Sequence, residues 1–182
     1  LLAHHANDQA ETMLQRLCNG QGLLGLSGMK IKRQHQHFEV LRPLLHILNT
    51  KILDYAKYHQ IQPITDPSNA NTAFERNWLR KTVLPTLQAR HPAIIQCIQR
   101  TQQRLQDAQI LLDTLAEIDL ARMAHEDPPR LDLKQFLSLS LQRQLNTLIY
   151  WLRHFDINSP NRIKLETLCH QLKQAKSDRH PE

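Results

Sequence analysis

With 182 residues, 41% of them hydrophobic, the chain has room for one large domain or two small ones and enough apolar material for a core. Three widely spaced cysteines with no CxxC argue against a zinc ribbon or a disulfide framework, and no apolar run approaches the ~20 residues of a membrane span. Lys and Arg number 23 against 17 Asp and Glu, a formal charge of +6 that suits a polyanionic partner.

Leu and Gln are abundant and aromatic residues make up only 5%, which favours helices over sheets. Residues 1–5 read as the end of a buried strand. From Asp8 the pattern turns helical: Asp8 is placed as N-cap, with Glu11 three residues on completing an acidic capping box. Met13, Leu14, Leu17 and Cys18 share one helical face, and Gly20 ends the helix. All four glycines of the chain lie in "NGQGLLGLSGM", residues 19–29, a concentration that points to unusual φ values or a close approach of the backbone to something.

"HFEVLRPLL", residues 37–45, reads as a short strand running into Pro43, and a helix follows from Thr50 with Ile52, Leu53 and Ala56 inward. A short strand is expected near Ile64, then a turn at Asp66-Pro67-Ser68-Asn69, then a helix carrying Arg76, Asn77 and Arg80. This is the tail of an α/β alternation. From Pro92 the apolar residues Ile94, Ile98, Leu105, Ala108, Leu112, Leu115 and Ile118 recur at helical spacing, which predicts one helix of about 30 residues, stopped by "HEDPPR" at 125–130. A short extended piece at Leu131 to Leu133, a helix through "LQRQLNTLIYWLRHF" and a last helix opening at Ser159-Pro160 complete a small helical unit.

The stretch "AHHANDQAETML", residues 3–14, admits three chemical readings. Asp8 and Glu11 cap a helix, a contribution of about 1 kcal/mol, or they line a site that needs carboxylates. A metal centre is the weakest reading, since His4-His5 with Asp8 finds no third imidazole at ligand spacing and His35-Gln36-His37 falls in a polar loop. No metal ligand is assigned. Arg76 and Arg80, at i and i+4, share a helix face and form either an anion site or an exposed basic stripe.

"HHANDQAETMLQRLCNGQGLLGLSGM" resembles the second signature region of the PP-loop ATP pyrophosphatases, and in particular the tRNA(Ile)-lysidine synthetases, whose pattern is close to HHxDDQxET followed by GxGxxGL. "RPLL" at 42–45, "DPSN" at 66–69 and "RNWLRKTVLPTL" at 76–87 follow in the family's order. Asn7 stands where that family commonly has Asp, which leaves Asp8 as the essential carboxylate. The resemblance implies a Rossmann-like adenine-nucleotide-binding domain, of which residues 1–92 are the C-terminal part, then a long connecting helix at 93–124 and a helical tRNA-binding domain at 125–182. The fold class expected is therefore an α/β tail followed by an all-α unit, mostly helical overall. The family's SGGxDS pyrophosphate loop does not occur, so the chain is expected to begin partway through the catalytic domain and to be inactive by itself.

The resemblance further implies the chemistry: ATP adenylates carbon 2 of the wobble cytidine of tRNA(Ile), and the ε-amine of free L-lysine then displaces AMP. An amine of pKa about 10.4 has to be held and deprotonated, a task for carboxylates, so Asp8 and Glu11 are the candidates for lysine, with His5 either contacting the adenylate phosphate or shuttling a proton. Arg42, Arg76, Asn77 and Arg80 are the candidates for ATP or the lysine carboxylate. Gly20 and Gly22 begin a loop that either approaches the substrate or packs two elements tightly. Mg²⁺ comes with the ATP, its ligands expected largely in the missing loop. Arg100, Arg104, Arg143, Arg153, Arg162, Lys164, Lys173 and Lys176 would hold tRNA phosphates or merely face solvent. The remaining expectations are a homodimer, no membrane partner and a cytoplasmic location. Rival readings are a tRNA cytidine thiolase of the same superfamily, against which the missing CxxC pairs count, and a non-catalytic tRNA-binding helical module.

Overall fold

The computed structural model describes residues 1–35, 38–64, 71–125 and 130–177. The chain divides into two compact units, Leu1–Gln109 and Ile110–Glu182.

In the first unit the elements are α1 (Ala6–Cys18), α2 (Leu23–Leu26), β1 (Lys32–His35), β2 (Phe38–Leu41), α3 (Asn49–Tyr58), α4 (Glu75–Trp78), a π-helical turn at Leu79–Val83, α5 (Leu84–Arg90) and the first half of α6 (Ile94–Met123). Residues 1–5 are extended without forming a strand: Leu2 N–H donates to the Leu41 carbonyl at 2.8 Å and Ala6 N–H to that of Ile47 at 2.9 Å. β1 and β2 pair antiparallel, with Lys32 opposite Leu41 and Arg33 opposite Val40. Among the described residues no strand forms near Ile64, and Ile64 is fully exposed. A parallel strand must be covered on both faces, and this segment has no such cover, so the strand–helix–strand alternation read from the sequence is not formed among the described residues. The Asp66–Asn69 turn lies outside them.

The buried part of α1 is its polar N-terminal half. Ala6, Asp8, Gln9, Ala10 and Glu11 are buried, while Leu17 and Cys18, which share a helical face with Met13 and Leu14, are exposed. Ala6 and Ala10 pack with Leu84, Ile95 and Ile98 in a small core that also takes Met13, Leu14, Leu48 and Ile94. Small side chains let α1 approach its neighbours closely enough for its carboxylates to reach groups on other elements. In α3, Ile52 and Ala56 are half-buried but Leu53 is exposed, contrary to expectation.

The end of α1 follows from one glycine. Gly20 adopts φ +65°, Gln21 N–H reaches the Arg16 carbonyl at 2.9 Å and Gly20 N–H that of Leu17 at 3.0 Å, the paired bonds of a Schellman motif. The long helix is 30 residues, as its periodicity predicts.

The second unit contains the rest of α6, a two-stranded antiparallel ribbon of β3 (Ala124–His125) and β4 (Arg130–Leu131), then α7 (Leu133–Ser138), α8 (Leu141–His154) and α9 (Arg162–Ser177). Met123, Phe136, Leu145, Leu148, Leu165 and Cys169 form its core. The last helix starts two residues later than the Ser-Pro signal suggests: the Asn161 side chain accepts from Lys164 N–H at 3.0 Å and so caps it.

Candidate active site

The carboxylates of α1 and the guanidiniums of the 75–90 helical run converge. Arg76 Nη2 donates to Asp8 Oδ1 at 2.8 Å and Arg76 Nε to Glu11 Oε2 at 2.9 Å. One turn on, Arg80 Nε donates to Glu11 Oε1 at 2.6 Å, and its Nη2 is shared between Glu11 Oε2 at 2.9 Å and Asp8 Oδ1 at 3.0 Å. Spacing in both partners makes this possible. Asp8 and Glu11 are at i and i+3 and Arg76 and Arg80 at i and i+4, so each pair presents one face of its helix. The π-helical turn begins at Leu79, a buried anchor between the two arginines.

Asp8 is also fixed from the other side. The helix cap is His5 rather than Asp8: His5 Nδ1 accepts from Asp8 N–H at 3.3 Å, and Asp8 Oδ2 accepts from His5 N–H at 2.9 Å. The capping box expected of Asp8 and Glu11 thus sits three residues earlier, because the extended backbone of His5 puts its own side chain over the first turn. With Nδ1 accepting, the neutral imidazole carries its proton on Nε2. Glu11 takes no part in capping and is free for the arginines.

The cluster is formally neutral, two carboxylates against two guanidiniums. Glu11 is 1% exposed while the Arg76 and Arg80 side chains are 44% and 41% exposed, so the acids form the floor and the bases the rim. The hydrogen bond Arg80 donates to Glu11, with the charges of both carboxylates adding to it, raises the Arg80 pKa further above its ordinary value against the opposing effect of burial. Each carboxylate offers about four lone-pair sites, and the bonds above use three on each. A cleft of about 180 Å³ opens beside the cluster, lined by His5, Asn7, Glu11, Asn49, Arg80, Leu84 and Gln88. Asn7 turns its Oδ1 to the Asn49 N–H at 3.1 Å and serves as the cap that α3 otherwise lacks.

The other sequence candidates lie apart from this cluster. Arg42 donates through Nε to His4 Nδ1 at 3.3 Å and through Nη1 to the Lys30 carbonyl at 3.0 Å. Burial, ahead of all charge effects, lowers the His4 pKa. Asn77 donates to the Asn71 carbonyl at 2.8 Å. Gly20 forms the helix stop already described, and Gly22 caps α2 with open space where a Cβ would go. Tight packing is found at Gly28 instead, where a Cβ would stand 2.5 Å from Gln102 Nε2 and 2.8 Å from Gln9 Oε1.

Gln9 is the residue whose role the sequence did not disclose. Its buried amide clasps Met29, Nε2 donating to the carbonyl and Oε1 accepting from N–H, both at 2.8 Å. Gln102 on α6 donates in turn to the Gln9 carbonyl at 3.3 Å. The glycine-rich loop is thereby tied to α1 one residue from Asp8. Only the "DQ" adjacency hinted at this.

Among the described residues no three His, Cys, Asp or Glu side chains gather into a cation site. Nor is any helix long and apolar enough to cross a membrane. Three of the cations read as either phosphate contacts or solvent-facing side chains are paired: Arg143 with Asp119, Arg153 with Asp113 at 2.6 Å, and Arg162 with Glu166 at 2.7 Å.

Residues 1–87 match the family model described as a PP-loop domain, and residues 131–182 that described as the TilS substrate binding domain. Over 99% of its length the chain is 38% identical to a tRNA(Ile)-lysidine synthase of Nitrosomonas europaea and 37% identical to one of Haemophilus ducreyi. Over 96% it is 39% identical to one of Burkholderia mallei. It spans 40%, 42% and 36% of those three relatives.

Proposed function

From the premise that this chain belongs to the tRNA(Ile)-lysidine synthase family, we propose that it takes part in joining L-lysine to carbon 2 of the wobble cytidine of tRNA(Ile). ATP adenylates the cytosine with release of pyrophosphate, and the lysine ε-amine displaces AMP. Residues 1–92 belong to the synthetase part, 93–124 connect, and 125–182 bind tRNA. The protein works in the cytoplasm.

The observation that carries this reading is the convergence of Asp8, Glu11, Arg76 and Arg80 beside a cleft. The nucleophile must arrive as an ammonium and react as an amine. The lone-pair sites left on Asp8 and Glu11 accept two of its N–H groups and hold it, while the guanidiniums close by disfavour its positive charge and lower its pKa. One carboxylate takes the proton as the C–N bond forms and the bond to the AMP oxygen breaks; AMP leaves with the electron pair. The Nη1 groups of Arg76 and Arg80, which no described residue engages, bind an anionic group: the lysine carboxylate or the adenylate phosphate. The Nε2–H of His5 adds a donor in the same cleft. Mg²⁺ accompanies the nucleotide, and among the described residues no three His, Cys, Asp or Glu side chains gather to hold it.

The test is lysine incorporation into tRNA(Ile) by the intact protein, native against Asp8→Asn and Glu11→Gln, well below the melting temperature of each. A loss of two or more orders of magnitude at full folding supports the assignment. Retained incorporation reduces both residues to structural ion pairs, and a native protein that incorporates none removes the function.

A further inference from the structure

A second cavity in the first unit, about 600 Å³, lies beside the glycine-rich loop, and its lining includes Arg16, Lys30, Arg33 and Arg42 but no carboxylate. Among the described residues none of these four forms an ion pair, although Lys32, next to Arg33 in β1, pairs with Glu39 at 2.5 Å. The cations are unbalanced. Burial, with the nearby Arg33 charge adding to it, depresses the Arg16 pKa.

Two of the four are held in place by backbone. Arg16 Nη1 donates to the Gly25 carbonyl at 2.6 Å and Arg42 Nη1 to that of Lys30 at 3.0 Å. Each guanidinium keeps most of its five N–H donors for something else. Lys30 and Arg33 are exposed. Through its Nε, Arg42 also holds His4, the neighbour of the capping His5, so the basic groove and the carboxylate cluster share one short stretch of chain.

Four clustered cations repel one another and weaken the fold unless a ligand brings the opposite charge. We propose that this groove holds the sugar-phosphate backbone of the RNA substrate next to the nucleotide whose base is presented to the Asp8–Glu11 cluster. The proposal rests on the tRNA-modifying function given above. Lys30 and Arg33 contact phosphates as charges, and Arg16 and Arg42 supply fixed N–H donors. Such contacts position the strand and read no sequence.

The test is the dissociation constant of tRNA measured across a salt series for the native protein, Lys30→Glu, Arg33→Glu and the double variant, with ATP binding measured alongside. The double variant is expected to bind tRNA on the order of 10–100-fold more weakly at low salt, with a log–log salt slope shallower by about one for each phosphate no longer neutralised. ATP binding is expected to stay unchanged. Lys30→Gln and Arg33→Gln repeat the measurement should charge reversal disturb folding. Unaltered tRNA affinity and slope in variants of a protein that does bind tRNA would overturn this inference alone. Weakened ATP binding with intact tRNA binding would assign the groove to the triphosphate and overturn it too. A native protein that binds no tRNA at any salt would remove the proposed function as well.

Discussion

The Glu11 carboxylate and the Arg80 guanidinium meet side-on, Nε donating to Oε1 at 2.6 Å and Nη2 to Oε2 at 2.9 Å, with the acid buried and the base at the rim. A lysine ammonium is a point charge and cannot reproduce two parallel bonds. Arg80→Lys is therefore expected to destabilise the first unit, and Arg80→Ala more so, by about 1–3 kcal/mol, with Arg76 and solvent limiting the loss. Glu11→Gln combined with Arg80→Ala should cost less than the two single changes added together, because the buried charge is gone. A urea-unfolding double-mutant cycle measures this, and simple additivity would mean that the pair is not coupled.

His4 supplies a pH dependence. Burial lowers its pKa below 6.5, helped by Arg42, Arg76 and His5 and opposed by Asp8. Below pH 6.5 the unfolded chain therefore takes up this proton more readily than the folded one, and stability falls as pH drops through that value towards the depressed folded pKa. The expected outcome is a melting temperature that declines from pH 7 to pH 5, with part of the decline abolished in His4→Asn. An identical pH profile in the variant would show that His4 titrates alike in both states.

Gly28 and Gly22 belong to the same glycine-rich loop, and only Gly28 should be sensitive to an added methyl group. At Gly28, with φ +82°, an added Cβ meets Gln102 and Gln9 at under 3 Å, so Gly28→Ala is expected to cost about 1–3 kcal/mol and to loosen the clasp of Gln9 on Met29. At Gly22 the space is open and φ is −78°, so Gly22→Ala is expected to stay within about 0.5 kcal/mol. Hydrogen exchange at the Met29 amide distinguishes the two: faster in the first variant, unaltered in the second.

These relationships differ in how far they could be read from the sequence. The end of α1 at Gly20 and the length of α6 were legible because both follow from neighbouring residues: a glycine after an amphipathic run, and unbroken apolar spacing over 30 residues. The site residues His5, Asp8 and Glu11 lie within one motif, but their division of labour was not visible there. Which acid caps the helix depends on the single residue at which the backbone turns extended, and here that residue is His5. The closure of the site by Arg76 and Arg80 joins positions 65 to 72 residues apart, which no local pattern encodes. The burial of the polar half of α1 has no local sign either: the shared face of Met13, Leu14, Leu17 and Cys18 is the apolar one, yet Leu17 and Cys18 are exposed and Asp8, Gln9 and Glu11 are buried.

Arg143 and Lys164 separate structural cations from nucleic-acid contacts in the second unit. Asp119, on α6, is 1% exposed, and both its oxygens take hydrogen bonds from Arg143, through Nε at 3.0 Å and through Nη2. Arg143→Gln leaves that buried carboxylate without its partner, and an uncompensated buried charge destabilises whatever the solution salt. The variant is therefore expected to melt earlier while the salt slope of tRNA binding keeps its native value. Lys164 is exposed and makes no side-chain ion pair among the described residues, so Lys164→Gln should leave melting unaltered. If Lys164 holds a phosphate, the same change lowers the salt slope by about one. Thermal melting and salt-dependent tRNA binding of the two variants give four numbers. A lowered slope in Arg143→Gln at native melting temperature would mean that Arg143 exchanges Asp119 for phosphate when RNA binds.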